Sequence, residues 1–186
     1  SKVLKFLQSA DLGIDDISVS EKEITSDDLP DELSEELMTK LLGKKFADVN
    51  TMHLDNRGEA VSFSMDEESD GTRSIFALSA PWLDVLENGL VLVVDELHRS
   101  LHPKLLSFLL NLFHNKDKAQ LLFTAHDTSL MDAKVLGRDQ FWFVEKDDGK
   151  ASQLYPLSDY KPRKGEALER GYLGGRYGAL PKIKEF

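Results

Sequence analysis

The chain has no cysteine, few positive charges relative to negative ones, and no long apolar run. Each lack removes a class of protein. Without cysteine there is no disulfide and no thiolate metal site, and the composition fits a reducing cytoplasm. The 23 lysines and arginines are outnumbered by 33 acids, for a formal net charge of −10. That balance does not indicate a broad nucleic-acid groove, although a local basic patch stays open. No apolar stretch approaches the ~20 residues of a membrane span, so no membrane partner is expected. What is present is 186 residues, 41% hydrophobic and 30% charged, enough for a globular domain with a core.

The most telling stretch is Leu90–Glu96, where five apolar residues end abruptly in Asp95 and Glu96. The run follows Asn88-Gly89 and reads as a strand buried on both faces. Acids at the C-terminal end of such a strand lie where open α/β sheets place ligands. A carboxylate there needs a cation or a donor to offset its desolvation. Hydrated Mg²⁺ on the phosphates of a nucleotide such as ATP meets that need, with Asp95 as the metal residue.

Around this stretch the order predicts α/β structure. A short helix is expected at Lys2–Ala10 and a strand at Ile14–Ile24. An amphipathic helix is expected at Asp31–Leu42, then strands at Val49–Leu54 and Ala60–Ser64 joined by Asp55-Asn56-Arg57-Gly58. A helix follows over Thr72–Glu87 with a bend at Pro81. Next come the strand Leu90–Val94, the helix Pro103–Phe113, the strand Gln120–Thr124, a short helix at Thr128–Met131 and a strand over Gln140–Glu145. A turn at Asp147-Asp148-Gly149 leads into Ala151–Tyr155. From Lys161 to Lys184 the tail is basic and glycine-rich and reads as a solvated end. The compositional shift near Ser64 divides the chain into residues 1–64 and 65–186.

Four features then recur in a fixed order. Ser69-Asp70-Gly71-Thr72 opens a helix, where a hydroxyl and free N–H groups suit an anion. Asp95-Glu96 closes the apolar strand, with Glu96 placed to orient or deprotonate a water. Ser100-Leu101-His102-Pro103 leads into a helix. Thr124-Ala125-His126-Asp127 ends a second apolar strand and places His126 at a sheet mouth, where it can stabilise a terminal phosphate. Each alone has an ordinary structural reading as a cap, a solvated strand end, a loop or a packed histidine.

Together they resemble the C-terminal half of an ABC-type ATPase head of the kind shared by SMC-like proteins. Within that group the chain looks most like the AAA-domain ATPases of bacterial anti-phage and abortive-infection systems. The late segment Tyr172-Leu173-Gly174-Gly175-Arg176-Tyr177-Gly178-Ala179-Leu180-Pro181 adds to the resemblance. It implies an α/β P-loop NTPase half-domain with a mostly parallel sheet over 65–186, preceded by a small α+β lid or arm over 1–64. It also implies roles. Asp95 would be the Walker B metal residue, Glu96 the catalytic base and His126 the switch histidine. Ser69, Gly71 and Thr72 would form the signature that meets the γ-phosphate of a partner head. Ser100, Leu101 and His102 would lie in the D-loop facing that partner. ATP and Mg²⁺ would be the cofactors. The heads would pair head to tail and gate an effector, a nuclease or toxin.

One departure shapes the expectation. The string Gly-x-x-x-x-Gly-Lys-Ser/Thr, which cradles phosphates, is absent. The chain therefore reads as the C-terminal piece of a longer ATPase, needing an N-terminal Walker A half. In the family the phosphate-loop strand lies between the strands ending at Thr124 and near Glu145. Its removal leaves unpaired edges around a slot that another polypeptide should fill. Alone, the chain should bind ATP poorly. Two other readings stand beside this one: a non-catalytic scaffold, and a zinc hydrolase using His98 and His102 at i,i+4 with Asp95, Glu96 and His126. The second requires a helix through both histidines, which Pro103 argues against.

Overall fold

A computed structural model describes residues 1–30, 32–114, 118–131 and 135–181. The first residue of the helix expected at Asp31, and Lys182 and Lys184 at the far end of the basic tail, lie outside the described residues. The chain divides into two compact units, residues 1–84 and 85–186.

In the first unit, α1 (Lys2–Ser9) begins where the Ser1 hydroxyl accepts the Leu4 N–H, and it buries Phe6 and Leu7. The alternating segments become β1 (Asp16–Glu23), β2 (Lys45–Leu54) and β3 (Ala60–Ser64), an antiparallel sheet in the order β1-β2-β3. Register places Val19 opposite Val49 and Thr51 opposite Phe63. The β2–β3 turn closes as expected, with the Gly58 N–H on the Asp55 carbonyl and Gly58 at φ +80°. Between β1 and β2, α2 (Glu35–Leu41) buries no residue, so its apolar stripe is not used as a core face. The helix α3 (Asp70–Asn88) runs through Pro81, and the division between units falls within it. Ile75, Ser79 and Trp82, spaced by four and three residues, form its buried stripe.

In the second unit, β4 (Val91–Val94) pairs in parallel with β5 (Gln120–Phe123), Val94 opposite Phe123. Their crossover carries α4 (Pro103–Asn111), which buries Leu106, Leu109 and Leu110. Pro103 opens this helix and the His102 ring caps it, Nδ1 accepting the Lys104 N–H at 3.2 Å. A hairpin follows, β6 (Trp142–Lys146) against β7 (Ser152–Pro156). The architecture is thus mixed α/β, parallel at β4–β5 and antiparallel at the two other sheets.

Two expectations about burial change. The strand Leu90–Val94 is not covered on both faces: Val91 and Val93 are 61% and 68% exposed, as is Leu122 at 65%. These three side chains share one face of the β4–β5 pair, and no described element of the chain covers it. The basic, glycine-rich tail, by contrast, is not a solvated end. It forms α5 (Leu168–Leu173) and sends Tyr177 into a core with Met131, Phe143, Leu157 and Leu168. Phe143 stacks on Tyr172 at 5.4 Å and on Tyr177 at 6.2 Å. Glu145 fastens this core: its Oε2 accepts the Tyr155 hydroxyl at 3.0 Å and the Ala179 N–H at 3.2 Å. Burial, with the hydrogen bond to Glu145, pushes the Tyr155 hydroxyl above the usual tyrosine range.

Candidate functional site

The apolar run fixes where the acids emerge. Val94 is the last residue of β4, and the chain turns over Asp95–Ser100 immediately after it. Thr124, the residue after β5, lies beside this turn and clamps it with one hydroxyl. Thr124 Oγ1 accepts the Glu96 N–H at 2.8 Å and donates to Asp95 Oδ1. The Thr124 carbonyl also accepts the Leu97 N–H at 3.1 Å, and Leu97 is buried. Glu96 sits in the left-handed region at φ +51° and Ser100 at φ +60°. For a glutamate that backbone costs on the order of 1–2 kcal/mol, and the Thr124 bonds hold it.

Around the acids stand two histidines. His126 Nε2 lies 3.7 Å from Glu96 Oε1. The His98 and His126 rings meet edge to face at 5.6 Å, and the His126 N–H points at His98 Nδ1 at 3.4 Å. Asp95, Glu96 and His126 are therefore brought together around Thr124. Ser100 is exposed, and Leu101, half-buried, donates its N–H to the His98 carbonyl at 3.1 Å. His102 is exposed apart from its cap contact.

Ser69, Gly71 and Thr72 belong to the other unit. Ser69 Oγ lies 2.9 Å from Thr72 Oγ1 and accepts the Thr72 N–H at 3.1 Å. The residue just before, Glu68, carries a nearly buried carboxylate. Its Oε1 takes the Thr51 hydroxyl and His53 Nε2, the latter at 2.7 Å. Thr51 is fully buried, and the His53 ring meets Phe63 edge to face at 5.2 Å. Burial alone would raise the Glu68 pKa. Hydrogen bonds from Thr51, His53 and Thr72 outweigh it and hold the carboxyl below its ordinary value.

A lowered folded value has one sign of consequence. Its stabilisation is complete above the unfolded value of about 4.3 and is lost as pH falls through the folded one. Acid titration of the thermal midpoint is expected to show a decline below that point that is shallower in Glu68→Gln. An identical acid limb in both proteins would show that another carboxylate governs it.

The chemistry of the donors suits one kind of cation better than another. Asp95 presents an exposed carboxylate at the carboxyl end of parallel strands, which fits a hydrated Mg²⁺ held mainly through water and phosphate. Among the described residues no group of three or more His, Asp or Glu side chains could hold a metal by itself. The helical His98–His102 pair of the zinc reading does not form, because α4 begins after His102 and the Nδ1 of that ring is engaged. Beside the site, between β5 and β6, lies a cavity of about 480 Å³ lined by Leu121, Phe123, His126, Met131, Trp142 and Phe143 among others. Each of these strands pairs on one side only among the described residues.

Two residues escaped the sequence reading, Thr124 as a clamp and Glu68 as an anchor, and His98 entered it only through the zinc alternative. Thr51 and His53, two apart on one strand face, were a usable signal for a polar partner. Nothing local marks which acid they meet.

Comparison with known proteins adds a family and a fold. The family described as "AAA domain, putative AbiEii toxin, Type IV TA system" matches residues 4–132. No curated protein matches the chain. Among solved structures it is similar to the "Smc head domain with a coiled coil and joint derived from Pyrococcus yayanosii", at 10% identity and a TM-score of 0.51, over 87% of this chain. The chain spans 28% of that structure's length. A second structure, from work on "ATP-driven dimerization and DNA stimulated activation of SMC ATPases", shows 10% identity and a TM-score of 0.47, covering 88% of this chain and 94% of that one. The fold is the mixed α/β fold of an Smc head, a P-loop NTPase fold.

Proposed function

The chain belongs to the AAA-domain family of the AbiEii type, and from that premise we propose that it supplies the signature-to-switch half of a cytoplasmic ATP-hydrolysing head. The observation that carries this reading is the cluster at the carboxyl ends of β4 and β5. Asp95 and Glu96 are tied to Thr124, and His126 stands 3.7 Å from Glu96. Asp95 would hold the metal. Glu96 would position the attacking water and take its proton, and His126 would stabilise charge on the terminal phosphate. When bound, Mg²⁺ supplies neutralisation of phosphate charge. Ser69, Gly71 and Thr72 would contact the nucleotide of a second head arranged head to tail, and Ser100, Leu101 and His102 would face that head. Residues 1–64 would be the lid or arm and 65–186 the ATPase part. ATP would join the heads and hydrolysis release them, gating a nuclease or toxin effector in anti-phage defence.

The cavity between β5 and β6 supports the half-domain reading. An unpaired edge is costly to leave open, and a phosphate-loop strand supplied by an N-terminal segment would satisfy both edges. A cover for the open face of β4 and β5 would come with it, which suits the exposure of Val91, Val93 and Leu122. None of the described helices is long and apolar enough to cross a membrane.

Binding of ATP is the direct check. Titration calorimetry is expected to give weak or undetectable binding to this chain alone. Binding and phosphate release should appear once the phosphate-loop segment is added. Hydrolysis that never appears on mixing would favour a scaffold over an enzyme.

A further inference from the structure

Glu68 has no place in the chemistry assigned above, yet its nearly buried carboxylate is bonded from a distant strand. Its side chain is 9% exposed. Its one oxygen Oε1 receives Thr51 and His53, both from the central strand β2, and the next residue along the chain is Ser69. Thr72 in turn shares its hydroxyl with Ser69 at 2.9 Å and gives Ser69 its N–H. A single carboxylate thus ties the middle of a three-stranded sheet to the residue that leads directly into the Ser69–Thr72 turn. The bonds reach back 15 and 17 residues along the chain, so they are tertiary links and not a local cap. We propose that Glu68 is a positioning residue, which fixes Ser69 and Thr72 through Thr51 and His53 and so couples the β1–β3 sheet to the signature segment.

The inference rests on reading residues 69–72 as the segment that meets the partner head's nucleotide. Its physical logic is pre-organisation: a side chain that must meet a phosphate on another protomer gains from a locked rotamer and backbone. A nearly buried carboxylate held by two donors from another strand provides such a lock, because moving it would strand a desolvated charge.

The test uses the ATPase assembled with its phosphate-loop segment. Thr51→Val, Thr51→Ser and Glu68→Gln are compared with Ser69→Arg as the reference for the signature itself. Thr51→Val keeps the shape and removes the donor, while Thr51→Ser keeps the hydroxyl. Sedimentation is expected to show ATP-driven association of heads weakened at least tenfold in Thr51→Val and Glu68→Gln. Thr51→Ser should stay near wild type. The affinity of a single head for ATP should stay within twofold in the Thr51 and Glu68 variants, which a general loss of structure would not spare. Wild-type association in Thr51→Val and Glu68→Gln, alongside loss in Ser69→Arg, overturns the proposal and leaves the signature reading standing. Should Ser69→Arg also associate normally, the signature reading is what fails. Hydrogen exchange at the Thr72 amide then decides the anchoring alone: faster exchange in Glu68→Gln upholds it and unchanged exchange overturns it.

Discussion

Glu96→Gln is expected to slow ATP hydrolysis by the assembled head by about 10²- to 10⁴-fold, the usual worth of a positioned acid–base group. Nucleotide-driven association of heads should survive or strengthen. The change is nearly isosteric, so the backbone at φ +51° and its N–H bond to Thr124 are kept. What is lost is the negative oxygen 3.7 Å from His126 Nε2, where a water would be oriented and its proton accepted. Steady-state phosphate release gives the first quantity and light scattering with ATP the second. A rate unchanged by the substitution would remove Glu96 from the chemistry and leave the chain a scaffold.

Gly178→Ala is expected to destabilise the second unit by about 3 kcal/mol, the sum of left-handed strain and broken buried hydrogen bonds. Gly178 has φ +71°, and a Cβ built there meets the Tyr155 hydroxyl at 2.6 Å and Glu145 Oε2 at 2.9 Å. Neither can retreat freely. The Tyr155 hydroxyl also lies 3.0 Å from the Tyr177 carbonyl oxygen, and Glu145 also accepts the Ala179 N–H. Gly165→Ala is the control, since Gly165 has φ +82° with nothing within 4 Å. It should cost roughly 1–2 kcal/mol, the backbone part alone. Urea unfolding of both variants separates strain from the network, and equal losses would assign no cost to the crowding at Gly178.

What the sequence made legible was local. An apolar run that stops at Asp95 fixes both the strand and the exit of its acids, because burial and charge change within one residue. Pro103 marked the start of α4, since a residue lacking an N–H suits a first turn. The unreadable parts depend on distant neighbours. An unbroken run of valine and leucine looks the same whether or not its second face is covered, so the exposure of Val91 and Val93 was not foreseeable. The tail was read from glycine and lysine, while its order comes from Tyr172 and Tyr177 stacking on Phe143, about 30 residues earlier in a hairpin. Likewise Asp95 and Glu96 announced themselves, but Thr124, His98 and Glu68 act across gaps of 28, 28 and 15 to 17 residues.

The handedness of the backbone at Glu96 sets durability against turnover. Glycine would sit at that position without penalty and asparagine with little. A library passaged for survival of heat or protease, with no demand for phosphate release, should therefore drift toward these two residues at 96 and become sturdier as it falls silent.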